Sequence, residues 1–148
     1  MAGKARIRVG AYVTRRKGSG EAELLVFDHQ DFPHAGTQVP AGGVEAHEPL
    51  GAAVRREVRE ETGVDDLVAI EALAVQQRPH PTSGQERVTV FFHAKTSEQR
   101  DGWTHVVTGD EKDQDSGLVL RCYFVPSGEA AEILVDAQGE FLPLATDL

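Results

Sequence analysis

An α/β domain is the fold class this sequence predicts, on three observations: six runs of strand character, one well-bounded helix set among them, and neither an internal repeat nor a composition break to divide the chain. The 148 residues, 16.0 kDa, read as one domain spanning 1–148. A chain of that size buries roughly two-thirds of the surface its unfolded form exposes, so it needs no disulfide scaffold.

The elements follow in order. Arg6 to Thr14 and Glu23 to Asp28 read as strands joined by the turn Lys17-Gly18-Ser19-Gly20, which predicts an antiparallel opening. Gln30 to Gly43 contains Pro33, Gly36, Pro40, Gly42 and Gly43, and reads as a loop with a short strand at Thr37 to Val39. Glu48-Pro49 opens a helix of about fourteen residues, proline being tolerated in the first turn, and Gly63 ends it. Leu67 to Gln77, Arg87 to Ala94, Trp103 to Val107 and Leu118 to Val125 follow as strands, with Val88, Val90, Phe92 and Ala94 on one face of the second. The tail from Glu129 onward fits no single element.

Composition excludes several classes of function. No apolar run approaches the roughly eighteen residues of a membrane span, and Lys4, Arg6 and Arg8 interrupt the opening where a secretory signal would be apolar, so a cytoplasmic chain with no membrane partner is expected. The single cysteine, Cys122, sits in an apolar run and reads as buried strand in a reducing compartment. A formal charge of -9 opposes bulk nucleic-acid binding. Six of the fifteen basic residues (Lys4, Arg6, Arg8, Arg15, Arg16 and Lys17) nevertheless precede the first acid, Glu21. They suit either a solvated strand face and hairpin tip or a basic wall for a small phosphorylated substrate.

The helix departs from ordinary amphipathic patterning. At about 100° per residue, Leu50, Ala53, Val54 and Val58 form the core stripe, and Ala52, Arg55, Arg56 and Arg59 lie opposite. Glu57, Glu60 and Glu61 fall on the arc of the apolar stripe or its flank, where a merely solubilising acid would not be. Their i, i+3, i+4 spacing makes them neighbours that repel, and they crowd the negative end of the helix dipole. Compensation comes from the nearby arginines or from a hard divalent cation bound through carboxylate oxygens, and the pattern alone suits a metal site and a solvated charged face equally.

Gly42, five residues, Glu48, seven residues, then Arg56-Glu57-Val58-Arg59-Glu60-Glu61-Thr62-Gly63-Val64 spell a longer pattern. It resembles the Nudix box, G-x5-E-x7-R-E-U-x-E-E-x-G-U with U aliphatic, at every specified position. Chance agreement of that kind is on the order of one in 10⁹ at ordinary residue frequencies, so the motif is highly specific although it covers only Gly42 to Val64. His47 stands where glycine is common in the family, outside the specified positions.

The resemblance implies an α/β/α sandwich with a mixed sheet, and hydrolysis of a nucleoside diphosphate linked to another group. It implies Mg²⁺ or Mn²⁺ held by Glu57, Glu60 and Glu61 with main-chain help at Gly42, and Arg56 orienting the carboxylates while paired with Glu48. The general base is Glu57 or a downstream acid, Glu98 or Glu111; the carboxylate-rich, glycine-bordered run from Gly109 to Gly117 favours Glu111. His80, between two prolines, receives no role, and Phe27 and Trp103 read as core before they read as base-stacking residues. Pro79, fifteen residues past Val64, resembles the ADP-ribose hydrolase group. The tyrosine of dinucleoside polyphosphate hydrolases and the coenzyme A and NADH markers are not found. The expected partner is a small nucleotide or other diphosphate, ADP-ribose-like or a nucleoside triphosphate, acted on by a monomer or homodimer. The alternative is a non-catalytic module of the same fold that binds a nucleotide or protein.

Overall fold

Strand β1, Arg6–Arg15, has both faces buried from Val9 onward and is the axis of the molecule. The computed structural model describes residues 4–109 and 116–146. β1 pairs in parallel with β5, Arg87–Lys95, over the nine positions Arg6 to Thr14. It meets β2, Glu23–His29, in antiparallel fashion only beside the hairpin, at Thr14↔Leu24 and Arg15↔Glu23. Toward its N-terminus β1 instead pairs with β3, Ala41–Gly43, from Arg8↔Gly43 to Gly10↔Ala41. β4, Val68–Gln77, β6, Gly102–Val106, and β7, Val119–Pro126, complete a seven-stranded mixed sheet in the order β4-β5-β1-β2-β7-β6 with β3 on β1.

Period-two alternation sorts the strands between two cores. Val9, Ala11, Val13, Leu25, Phe27, Phe92 and Ala94 face α1, Leu50–Thr62, and pack on its Ala53, Val54 and Val58. Tyr12, Leu24, Val26 and Phe91 face the other way, against Ala130 of α2, Ser127–Ile133, and Leu142 and Ala145 of α3, Leu142–Thr146. Helices thus cover both faces of a mixed sheet. None among the described residues is long and apolar enough to cross a membrane.

The six strands lie within a residue or two of their expected bounds. The segment Gln30 to Gly43 departs from expectation. Thr37 and Gln38 make only isolated bridges, and the true strand is β3 at Ala41–Gly43, inside the region read as loop. A glycine-rich trio carries no side-chain periodicity, and only the exposed edge of β1 makes it a strand. The ambiguous tail becomes α2 and α3. Gly63 closes α1 in the left-handed region at φ 81, its N–H on the Arg59 carbonyl at 2.9 Å. Leu50 leaves the expected stripe and is 37% exposed, while Glu57 and Glu61 further along that face are buried. Cys122 is buried in β7, which pushes its thiol up to about 12.

Candidate active site

Two carboxylates buried on the inner face of a helix require partners, because an unpaired buried charge is costly. Arg56 supplies most of them. Its Nε and Nη2 fork onto Glu48 at 2.7 and 2.9 Å, Nη1 donates to Glu57 at 2.8 Å and to Glu60 at 3.3 Å, and Nη2 also donates to the Gly43 carbonyl at 2.8 Å. The hydrogen bond to Glu48 is the main cause that raises the Arg56 guanidinium above its ordinary value, and the same bond holds the Glu48 carboxyl below the usual range. Glu48 Oε1 also accepts the Glu45 N–H at 3.0 Å, which closes the loop before the helix. Glu61 Oε1 accepts the Ala41 N–H at 2.9 Å, tying α1 to β3.

Gly42 lies between those two attachments. A Cβ there would stand 2.2 Å from Glu57 Cδ, so the Glu57 carboxylate reaches the backbone of β3 only because residue 42 has no side chain. The exposed carbonyls at the end of α1 are also satisfied: Thr108 N–H donates to Glu60 O at 3.1 Å and Trp103 Nε1 to Thr62 O at 2.8 Å.

These groups form one wall of a cavity of about 790 Å³. Glu57, Glu60 and Glu61 line it together with β3, Arg56 and Glu45. The same cavity is also lined by Arg6 and Arg8 of β1, Arg87 of β5, and His80, Ser83 and Gln85 from the β4–β5 turn. Arg87 Nη2 pairs with Asp136 at 2.8 Å, and Arg78 reaches the same carboxylate at 3.2 Å. Burial lowers the Arg8 guanidinium from its ordinary value, and Arg87 and Arg6 add to the effect by like-charge repulsion.

The box residues Gly42, Arg56, Glu57, Glu60 and Glu61 therefore share one site. Among the described residues, no three His, Cys, Asp or Glu side chains are grouped closely enough to enclose an ion. Glu57, Glu60 and Glu61 are the ones whose oxygen donors and common wall could hold a hard cation. Glu111 lies outside the described residues. Glu98 lies elsewhere: its carboxyl is held below the usual range chiefly by Arg100, 2.7 Å away, and its carbonyl accepts from Arg15 at the far end of β1. Phe27 is core, and Trp103 packs against it half-buried.

Sequence reading missed the basic part of this lining. Arg6 and Arg8 stood undivided in a cluster of six, His80 received no role, and Arg87 and Asp136 were not singled out. The alternation of Arg6 and Arg8 with Ile7 and Val9 was a usable signal for one face, but nothing local announced that Arg87 would lie beside Arg6.

A family model described as NUDIX domain matches residues 4–144. The chain belongs to the NUDIX family. The NUDIX domain of Shewanella oneidensis NrtR, solved with ADP ribose, superposes with a TM-score of 0.68 at 17% identity, covering 98% of this chain and 88% of that one. A MutT NUDIX hydrolase from Burkholderia pseudomallei gives 0.65 at 20% identity, with 95% and 98% covered. A C. elegans Ap4A hydrolase gives 0.60 at 18% identity, with 97% of each chain covered. At these identities the likeness is one of fold. Comparison with curated proteins finds no match.

Proposed function

We propose that the chain is a divalent-metal-dependent pyrophosphohydrolase that cleaves a nucleoside diphosphate linked to another group, working as one domain in a cytoplasmic setting. The observation that carries this reading is the fan of contacts from Arg56 to Glu48, Glu57, Glu60 and the Gly43 carbonyl, which gathers acids on the wall of an open cavity. Glu57, Glu60 and Glu61, with the main chain at Gly42, are the groups that would hold Mg²⁺ or Mn²⁺. Their donors are all oxygen, and the missing Cβ at Gly42 leaves room for a carboxylate against the backbone. When bound, such an ion neutralises anhydride oxygens and acidifies the attacking water.

The chain's own residues do the rest. Arg56 spends its fork on Glu48, which fixes the plane of the guanidinium and leaves Nη1 to orient Glu57 and Glu60. A carboxylate within hydrogen-bond reach must take the proton of the water. Glu57 and Glu111 are the candidates. Glu98 is left out because Arg100 engages it away from the cavity. If Glu111 is the base, Glu111→Gln lowers kcat by roughly 10² to 10⁴ with little change in KM, and a mild effect returns the role to Glu57.

The substrate candidates are an ADP-ribose-like compound, supported by Pro79 and by the ADP ribose bound to the NrtR domain, and a nucleoside polyphosphate, supported by the likeness to Ap4A hydrolases. Purified protein with Mg²⁺ or Mn²⁺, screened across nucleotides, dinucleotides, nucleotide sugars and diphosphoinositols for phosphate and pyrophosphate release, tests the proposal. Metal-dependent release from at least one anhydride is expected. Nucleotide binding without any release would leave the non-catalytic module in its place.

A further inference from the structure

Arg6, Arg8 and Arg87 bring three cations to the part of the cavity lining that lies on the sheet face away from α1. Arg8 shares a sheet face with Tyr12, and Arg87 shares the same face with Phe91, because the parallel register sets Arg6 beside Arg87 and Arg8 beside Thr89. Glu61 and Asp136 both act on Arg8 from a distance, and Asp136 divides its carboxylate between Arg87 and Arg78. That contact fixes the Arg87 head, whose side chain is 8% exposed at the edge of the cavity. Arg8 makes no side-chain hydrogen bond or ion pair among the described residues, although it lies within the influence of Arg87, Arg6, Glu61 and Asp136. A guanidinium half-buried beside like charges, with its donors unspent, is arranged for an anion.

His80 adds a donor of defined direction. Its Nδ1 accepts the backbone N–H groups of Thr82 and Ser83, each at 3.1 Å, so the ring proton resides on Nε2. This turn, with Ser83 and Gln85, borders the same cavity. Asp136 and Ala137, the segment that carries the Arg87 clamp, both adopt left-handed backbone at φ 54 and 55. Neither is glycine, so the turn carries strain that the surrounding contacts must hold, among them the Gln76 side chain on the Ala137 carbonyl at 3.1 Å.

We propose that Arg8, Arg87 and the Nε2–H of His80 form an anion-binding subsite that receives a phosphoryl group of the ligand, with Asp136 as the positioning residue for Arg87. The subsite rests on the hydrolase reading only for the identity of the anion, since its geometry requires no catalysis. It places the phosphate chain across the cavity, between the acidic wall and the strand ends.

Inorganic tripolyphosphate is the probe, titrated calorimetrically against the full chain in EDTA at matched chloride ionic strength, so that neither metal nor turnover contributes. Wild-type protein binds it; Arg8→Gln weakens binding at least about tenfold, and His80→Gln weakens it about threefold. Lys17→Gln, at the other end of β1, leaves the affinity unchanged. Arg8→Lys recovers only part of the loss, because an ammonium lacks the planar fork. Asp136→Asn, which keeps the size and tolerates left-handed backbone, weakens binding if Asp136 positions Arg87; tighter binding, as simple removal of a negative charge would give, overturns that role. Wild-type affinity in Arg8→Gln, or no binding by the wild type, overturns the subsite. A chain that binds tripolyphosphate through Arg8 yet hydrolyses no anhydride keeps the subsite and loses the hydrolase reading. Hydrolysis with equal tripolyphosphate affinity in wild type and Arg8→Gln does the reverse.

Discussion

At the C-terminal end of β1, Arg15 is buried over the Phe124 ring at 3.6 Å and donates to Glu23, Asp101 and the carbonyls of Glu98 and Arg100. Lys17 beside it pairs with the same Asp101. At the N-terminal end of the same strand, Arg6 and Arg8 open on a cavity, and among the described residues no carboxylate makes an ion pair with Arg8. One strand therefore carries two basic ends with different work. Arg15 is a staple, its donors consumed by fixed acceptors that close the turn after β5 onto the β1–β2 hairpin. Arg8 is left with capacity to spare. Local composition does not separate them; the supply of acceptors around each one does.

The largest test of that contrast lies at the open end. Glu60→Gln and Glu61→Gln should each reduce turnover at least about a hundredfold with the fold intact, since charge leaves the box wall without a change of size. Steady-state kinetics at saturating Mg²⁺ and circular dichroism measure the two halves of this expectation. Unchanged kinetics in both variants would end the distinction between a working end and a structural one.

Arg15→Ala should cost about 2–4 kcal/mol of stability, because it removes a buried side chain packed on Phe124 and takes the donor from Glu23, Asp101 and two carbonyls at once. Urea unfolding reads this directly. A loss below about 1 kcal/mol would mean that the staple is no more than a surface pair.

Acid titration sharpens the picture at the helix. Glu48 has a folded pKa below its unfolded value, chiefly through its hydrogen bond with Arg56. Its contribution to stability is thus complete above the unfolded carboxylate range and is lost as the pH falls through the lower folded value. Glu48→Gln should flatten the acid limb of a stability profile relative to wild type, and identical limbs would count against the Arg56 fork. The smallest effect belongs to Arg8→Gln, which should change unfolding free energy by less than about 0.5 kcal/mol, in contrast to Arg15→Ala. A cost as large as that of Arg15→Ala would make both ends structural.

Much of the site was legible in the chain because its parts are close in sequence. Gly42, Glu48 and Arg56 to Gly63 lie within one short strand, the loop after it and one helix, where the 3.6-residue period and the glycine cap specify relative positions along the helix. The anomaly that Glu57, Glu60 and Glu61 share the apolar arc was readable for the same reason, and the structure answers it with a buried Glu57 and Glu61. The role of Glu111 stays with the sequence reading, as that residue lies outside the described ones.

The sequence by itself determined the strands to within a residue or two, the one long helix with its caps, and the grouping of the box residues along it, since each depends on local periodicity and backbone preference. Tertiary structure alone decided that β3 is a strand, because Ala41-Gly42-Gly43 has almost no side chain to show a period and pairs only where β1 and β2 separate. It also decided which cations matter. Alternation tells which face a residue takes but not which strand lies alongside, and a parallel partner is reached only through a long crossover. Arg6 meets Arg87 across eighty-one residues of chain, and Asp136 returns a further forty-nine residues on to hold Arg87. Such contacts are set by how the whole sheet closes and by where the last turns settle on it, so no window of sequence contains them.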